Sequence, residues 1–289
     1  MNLSMYTGFS DIVKKDGMKK AAETARSLGF NSVEFLDFQN APPLIPDKST
    51  AKEYRNILEA NGLTTSCFSF GISIIDPLDA TASSEQAVNS LLHSAEMAAL
   101  VGSPYFHHTL ILMLKLDPDA YESNFALITE RLLPHVRRVA DRCAELGITA
   151  LYEPQGFYVN GKDRFTEFYR AVKSYCGNVG VCGDVGNSNF CDWRGEDFIS
   201  EMASEIRHVH LKNYKLYPAN DTGSDVKYRS EKGIGIHPTL LSDGDIDIPY
   251  CLDTLKKAGY TGALALESEY RNTDEINSDI QYLKALFNR

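Results

Sequence analysis

The chain has 289 residues, 43% of them hydrophobic and 24% charged, an ordinary balance for a globular protein with a large core. A formal net charge of −10 argues against a nucleic acid or an anionic membrane as partner, and no apolar run approaches the length of a membrane span. The six cysteines are scattered without a C-x-x-C pair, and the opening MNLSMYTGFS has no basic stretch leading into an apolar one, so reduced thiols and a cytoplasmic location are expected.

In chain order, short apolar segments alternate with amphipathic ones. The candidate strands are NLSMYTG (2–8), SVEFLDF (32–38), TTSCFSF (64–70), PYFHHTL (104–110), TALYEP (149–154), VGVCGD (179–184), HVHLKN (208–213) and ALALESE (263–269). Helical patterns mark 18–30, 51–63, 85–102 and 131–148 between them. The sequences SLGF and ELGI put Gly29 and Gly147 where a helix ends on a left-handed residue. Strand–helix alternation implies parallel strands joined by right-handed crossovers. Eight strands in a chain of this size predict one closed (β/α)₈ barrel domain over residues 1–289, and the first strand lacks the G-x-G-x-x-G of a dinucleotide-binding open sheet. The longest irregular segment, 217–247, falls between strands seven and eight, over the C-terminal face where such barrels build their sites.

Strand five ends in Glu153 and strand six in Asp184, strand seven carries His208-Val209-His210, and strand eight ends in Glu267. Singly, each has an ordinary explanation: a solvated rim carboxylate, or a satisfied core histidine. On the tips of four consecutive strands they converge on one mouth, where three carboxylates repel one another unless a cation joins them. Glu153, Asp184, His210 and Glu267 are therefore expected to hold one divalent metal ion. An oxygen-rich set with a single imidazole suits Mn²⁺ first, with Mg²⁺, Co²⁺ and Zn²⁺ as alternatives.

The segments LYEP, GDVGN, RHVHLKN and GDIDIPYCLDTLKKAGYTGALALE together resemble the xylose isomerase-like TIM barrels, a sugar isomerase and epimerase superfamily, over essentially the whole chain. The resemblance implies a metal-dependent sugar isomerase or epimerase acting on a small ketose or polyol-derived ketone. It also implies that Glu153 and Glu267 remove and return a proton through a metal-bound enediolate. An inosose dehydratase-type lyase and a non-catalytic sugar-binding barrel are the alternatives. The AP endonucleases of the superfamily are disfavoured: their D-x-x-H reads Asp184 to Asn187 here, and the chain has only seven histidines. An arginine expected six residues past the strand-seven histidine is Leu216, which weakens the case for a ketohexose 3-epimerase in particular. A homo-oligomer acting on a small sugar or polyol is expected.

Five further residues are candidates for substrate contact. Asn187 is placed to hydrogen-bond a hydroxyl, and Lys212 shares a strand face with His210. His108 is preferred to His107 because it lies nearer the strand tip, and Trp193 is a candidate apolar wall. Glu34 matches a strand-two glutamate frequent in the family, although a buried ion pair explains it equally well. Lys227, Arg229, Lys232 and Glu269 read as solvated charges of the mouth.

Overall fold

The computed structural model describes residues 2–76, 79–83, 85–111, 118–221, 223, 225–270 and 272–287. Eight strands, β1 (Leu3–Met5), β2 (Ser32–Phe38), β3 (Thr64–Gly71), β4 (Tyr105–His108), β5 (Thr149–Tyr152), β6 (Val179–Asp184), β7 (Ile206–Leu211) and β8 (Leu264–Leu266), close in the order β1-β8-β7-β6-β5-β4-β3-β2. Every neighbouring pair is parallel. The fold is a (β/α)₈ TIM barrel with helices between the strands.

Alternation along the strands divides the residues between two faces. Outward, Phe35, Phe68 and Phe106 stack side by side at centroid separations of 5.9 and 6.1 Å beneath the helices. Tyr152 of β5 packs edge-on against Phe168 of the helix Lys162–Tyr175. Inward, Cys67, Leu151 and Cys182 fill one apolar layer, with Tyr105 against it. Glu34, Ser69, His107, His208 and His210 form a polar cluster, all of it buried. Most polar atoms of this cluster are paired within it, and His210 Nδ1 is among those that are not.

The helix expected over 18–30 is present as Met18–Leu28, and a further helix, Phe9–Asp16, precedes it, set off by Gly17 at φ 87°. Gly29 and Gly147 do adopt left-handed backbone, at φ 89° and 73°. The expected 131–148 is the end of a longer helix, Pro118–Glu145, with Pro134 inside it.

The largest difference lies after β7. That strand runs two residues earlier than its pattern suggested, because the chain leaves the barrel at Lys212. It continues as Asn213–Tyr217, which pairs antiparallel with Gly235–Thr239, itself paired with Tyr228–Arg229. Segment 217–247 thus contributes Tyr228–Arg229 and Gly235–Thr239 to a small sheet at the barrel mouth. Asn213 closes its base, donating to Leu241 O and Ile246 O and accepting from the N–H of Tyr214 and of Ile246. Asp279 of the helix Thr273–Phe287 ties it down from the other side. Its carboxylate accepts from Leu241 N–H at 2.8 Å and from Tyr270 O–H at 2.9 Å.

Burial pushes Asp279 up to about 6, outweighing the hydrogen bonds from Leu241 and Tyr270 that favour its charged form. A folded value above the unfolded one gives stability that is present at low pH and lost as pH rises through the folded value. Asp279→Asn has no such loss. The melting temperature of the variant relative to the natural protein is expected to rise by a few degrees between about pH 4 and pH 6 and then level off. Thermal unfolding across that range checks it, and a flat difference contradicts it.

Candidate active site

Glu153 is the first residue past β5 and Glu267 the first past β8, while Asp184 ends β6 and His210 lies within β7. The barrel brings the four together. His210 Nδ1 lies 3.3 Å from Glu153 Oε2, 3.2 Å from Glu267 Oε2 and 3.9 Å from Asp184 Oδ2. The ring of Tyr6 stacks on His210 at 4.7 Å, nearly parallel. Asp184 is held by the turn that follows it: Oδ1 accepts the N–H groups of Gly186 and Asn187, both at 2.8 Å. Gly186 is needed in that turn, because a Cβ there would sit 2.6 Å from Lys212 Cγ and 2.7 Å from the Tyr214 ring.

Glu153 Oε2, Asp184 Oδ2, His210 Nδ1 and Glu267 Oε2 are all buried; Glu153 Oε2 and His210 Nδ1 have no directed hydrogen bond, and the other two meet only the Lys212 ammonium. The ligand atoms of Asp184, His210 and Glu267 lie within 4.8 Å of one another, and so do those of Glu153, Cys182 and His210. Buried acceptors left facing one another are costly unless a cation joins them. His210 Nδ1 with Asp184 and Glu267 is a donor set that fits a divalent ion, and Glu153 reaches the same nitrogen from the other side. The fixed positive charge beside them is Lys212. Its Nζ forms ion pairs with Asp184 Oδ2 at 2.8 Å and Glu267 Oε2 at 2.9 Å, and it donates to Asn187 Oδ1 at 3.1 Å.

The two glutamates have opposite acidities. Burial raises Glu153 to about 7, with Asp184 and Glu267 adding to the rise against the pull of His210. Burial also works upward on Glu267, but Lys212 and His210 prevail and hold it at about 2. Burial raises Asp184 above the usual carboxylate range against Lys212. Without a metal ion, Glu153 thus holds its proton more firmly than Glu267 does, a difference that suits acid–base work.

A cavity of about 340 Å³ opens at this mouth, lined by Asn187, Lys212 and Glu267 on its polar side. Its apolar wall is Phe157, Phe190, Tyr214 and Tyr228. Trp193 is not part of that wall. The left-handed turn at Asp192 (φ 55°) carries it beneath the helix Gly195–Met202, where its ring packs against Phe198 at 5.1 Å. His108 is likewise corrected. It shares its parity with Phe106, faces outward and packs edge-on to Tyr152 at 5.2 Å. His107 is the inward residue, with Nε2 3.4 Å from Glu153 Oε1. Nearness to the tip was the wrong criterion; the parity it shares with Tyr105, whose ring meets His208 across the interior, marks the inward face. Glu34 does not line the cavity, since His208, His210 and Ser69 occupy its carboxylate. The sequence pattern had set His107 second to His108, and it did not mark Tyr6 or the aromatic wall. Of these, only His107 had a usable signal, the i, i+2 step from Tyr105. On the rim, Glu269 is bound by Lys227 and by Tyr228 O–H, which fastens the small sheet to the end of β8.

A parallel eight-strand barrel with ligand-type side chains on its last four strand ends defines the class, a TIM barrel built around a site at its C-terminal mouth. The chain belongs to the xylose isomerase-like TIM barrel family, whose pattern matches residues 22–286. It is 30% identical over 135 residues to the rhizopine catabolism protein MocC of Rhizobium meliloti, a match covering 45% of this chain and 40% of that protein. Among solved structures, an L-ribulose 3-epimerase superposes with a TM-score of 0.72 at 15% identity, covering 100% of this chain and 95% of that one. A xylose isomerase-like TIM barrel protein from Mycobacterium smegmatis, in complex with magnesium, gives 0.71 at 17% identity, covering 99% and 96%. At such identities the likeness is one of fold.

Removing the ammonium of Lys212 leaves Asp184 and Glu267 facing each other with one fewer counter-charge. Lys212→Met is expected to destabilise the metal-free protein by about 3–5 kcal/mol, the range for breaking a buried ion pair. Urea unfolding measures it, and a loss below about 1 kcal/mol contradicts the assigned role.

Proposed function

We propose that this protein is a divalent-metal-dependent isomerase or epimerase of a small ketose or polyol-derived ketone, working by proton abstraction next to the carbonyl. The observation that carries the reading is the pair of glutamates, Glu153 and Glu267, set 3.3 and 3.2 Å from His210 Nδ1. Glu153, Asp184, His210 and Glu267 would hold the ion, Mn²⁺ by preference, and when bound it supplies Lewis-acid polarisation of the substrate carbonyl. Glu267, kept ionised by Lys212, accepts the proton from the carbon beside that carbonyl. Glu153 delivers a proton from the other side, so that an enediolate collapses to an isomer or epimer. Lys212 and Asn187 bind substrate oxygens, and Phe157, Phe190, Tyr214 and Tyr228 shelter the reacting carbons from water. The reading is supported by membership of the xylose isomerase-like family, by likeness of fold to an L-ribulose 3-epimerase, by a relative named for catabolism, and by a cavity of single-sugar scale. Six free, buried thiols favour the cytoplasm as the working compartment.

The test loads the protein with Mn²⁺ in D₂O and follows, by proton NMR, the C–H signal beside the carbonyl of ketopentoses, ketohexoses and inososes. Exchange is expected with at least one class, lowered roughly 10²–10⁴-fold in Glu153→Gln and in Glu267→Gln. Exchange that survives both substitutions contradicts the proposal. A product that has lost water would replace isomerisation with elimination at the same site.

A further inference from the structure

Glu34, in the middle of β2, has no exposed surface, so its carboxylate must be satisfied from within the barrel. Oε2 lies 2.7 Å from His208 Nε2; Oε1 lies 3.0 Å from His210 Nε2 and accepts from Ser69 Oγ at 2.5 Å. An ionised carboxylate only accepts, so each imidazole must present an Nε2–H to it. For His210 this has a directional consequence. With Nε2 committed to Glu34, the opposite ring atom, Nδ1, is turned towards Glu153, Asp184 and Glu267.

The same carboxylate is linked to Glu153 by a second route. Ser69, having given its proton to Glu34, accepts from His107 Nδ1 at 2.9 Å, and His107 Nε2 lies 3.4 Å from Glu153 Oε1. The other oxygen of Glu153 is the one beside His210 Nδ1. Glu34, His210, His107 and Ser69 are thus joined by hydrogen bonds across β2, β7, β4 and β3, and Glu153 lies in contact with both histidines, at 3.3 and 3.4 Å. A second metal held by Glu34, His208 and His210 is the competing explanation, since their ligand atoms also cluster within 4.8 Å. The separations decide against it. Ligand atoms on a tetrahedral ion with bonds of about 2.0–2.1 Å stand roughly 3.3 Å apart, whereas 2.7 and 3.0 Å are hydrogen-bond lengths.

We propose that Glu34 is a positioning residue that clamps His208 and His210 through their Nε2–H groups and thereby aims His210 Nδ1 at the three carboxylates of the mouth. Its bearing on an ion rests on the proposed function; the clamp itself does not. Carboxylates behind a ligand histidine fix its tautomer and ring orientation, and their loss typically weakens metal binding by about 10–100-fold.

Two readouts test it on the full chain. In metal-free protein, histidine-selective NMR should show the His208 and His210 Nε2–H protons far downfield and shielded from solvent exchange, and both signals should be lost or become fast-exchanging in Glu34→Gln. In a titration with Mn²⁺ alone, followed by the electron-spin signal of the free ion, Glu34→Gln should bind about 10–100-fold more weakly. Glu34→Asp, too short to span both rings, should not restore the natural affinity. If Glu34→Gln does not fold, Ser69→Ala breaks these hydrogen bonds without removing the carboxylate and should weaken Mn²⁺ severalfold. Protected Nε2–H signals that persist in Glu34→Gln, or Mn²⁺ affinity within twofold of natural in a folded variant, overturn the clamp. A natural protein that takes up no Mn²⁺ but shows both protected signals overturns the proposed function and leaves the clamp standing.

Discussion

Three carboxylates meet in a mouth from which most water is excluded, and their mutual repulsion is the constraint around which the rest of the site is arranged. In a low-dielectric setting, like charges at contact distance are tolerated only with fixed positive charge or firm hydrogen bonds beside them. Lys212 supplies the charge, paired at once with Asp184 and Glu267. The turn after β6 supplies the hydrogen bonds, binding one oxygen of Asp184 and leaving the other facing inward. Gly186 lets Lys212 come close enough to serve. Behind these, Glu34 occupies the far side of His210, so that the ring presents one nitrogen to the carboxylates and one to its own support.

The small sheet after β7 follows from the same arrangement. The proposed chemistry needs shelter from water, and a bare strand-to-helix loop offers little. Here the chain leaves the barrel directly after the residues that contribute His210 and Lys212. It returns through Asn213, whose amide satisfies four backbone groups at the base. The excursion carries Tyr214 and Tyr228 over the mouth and is fastened to the β6 side by the bond from Glu231 N–H to Phe190 O. On the β8 side, Glu269 and Asp279 secure it.

Strand order and the four strand-end side chains were legible because each strand is short, apolar and bounded by a turn, and because a parallel barrel aligns every C-terminal end on one face. The limits expected for strands two and six match the structure, and the Gly29 and Gly147 helix ends show the left-handed backbone they were read for. Inward versus outward was harder. Two adjacent histidines on β4 have opposite parity, and only the register against β3 and β5 fixes which one reaches Glu153. Trp193 lies close to Asp184 in the chain but is turned away by one left-handed residue, which composition does not signal. Glu34 has ambiguous chemistry, because a carboxylate in an apolar strand reads equally as a ligand, a substrate contact or an ion-pair partner until its neighbours are known. The NYKLY and GIHPT strands escaped notice for another reason: the first follows β7 without a turn signal between them, and Pro238 interrupts the second.

The proposed chemistry requires Glu153, Asp184, His210 and Glu267 to act as one ligand set. The most direct measurement is X-ray diffraction from crystals grown with Mn²⁺, collected above and below the manganese absorption edge. One anomalous peak bonded to His210 Nδ1 and to an oxygen of each of the three carboxylates is the predicted result. An anomalous map without a peak at the mouth, or with its peak at Glu34 and His208, would contradict it.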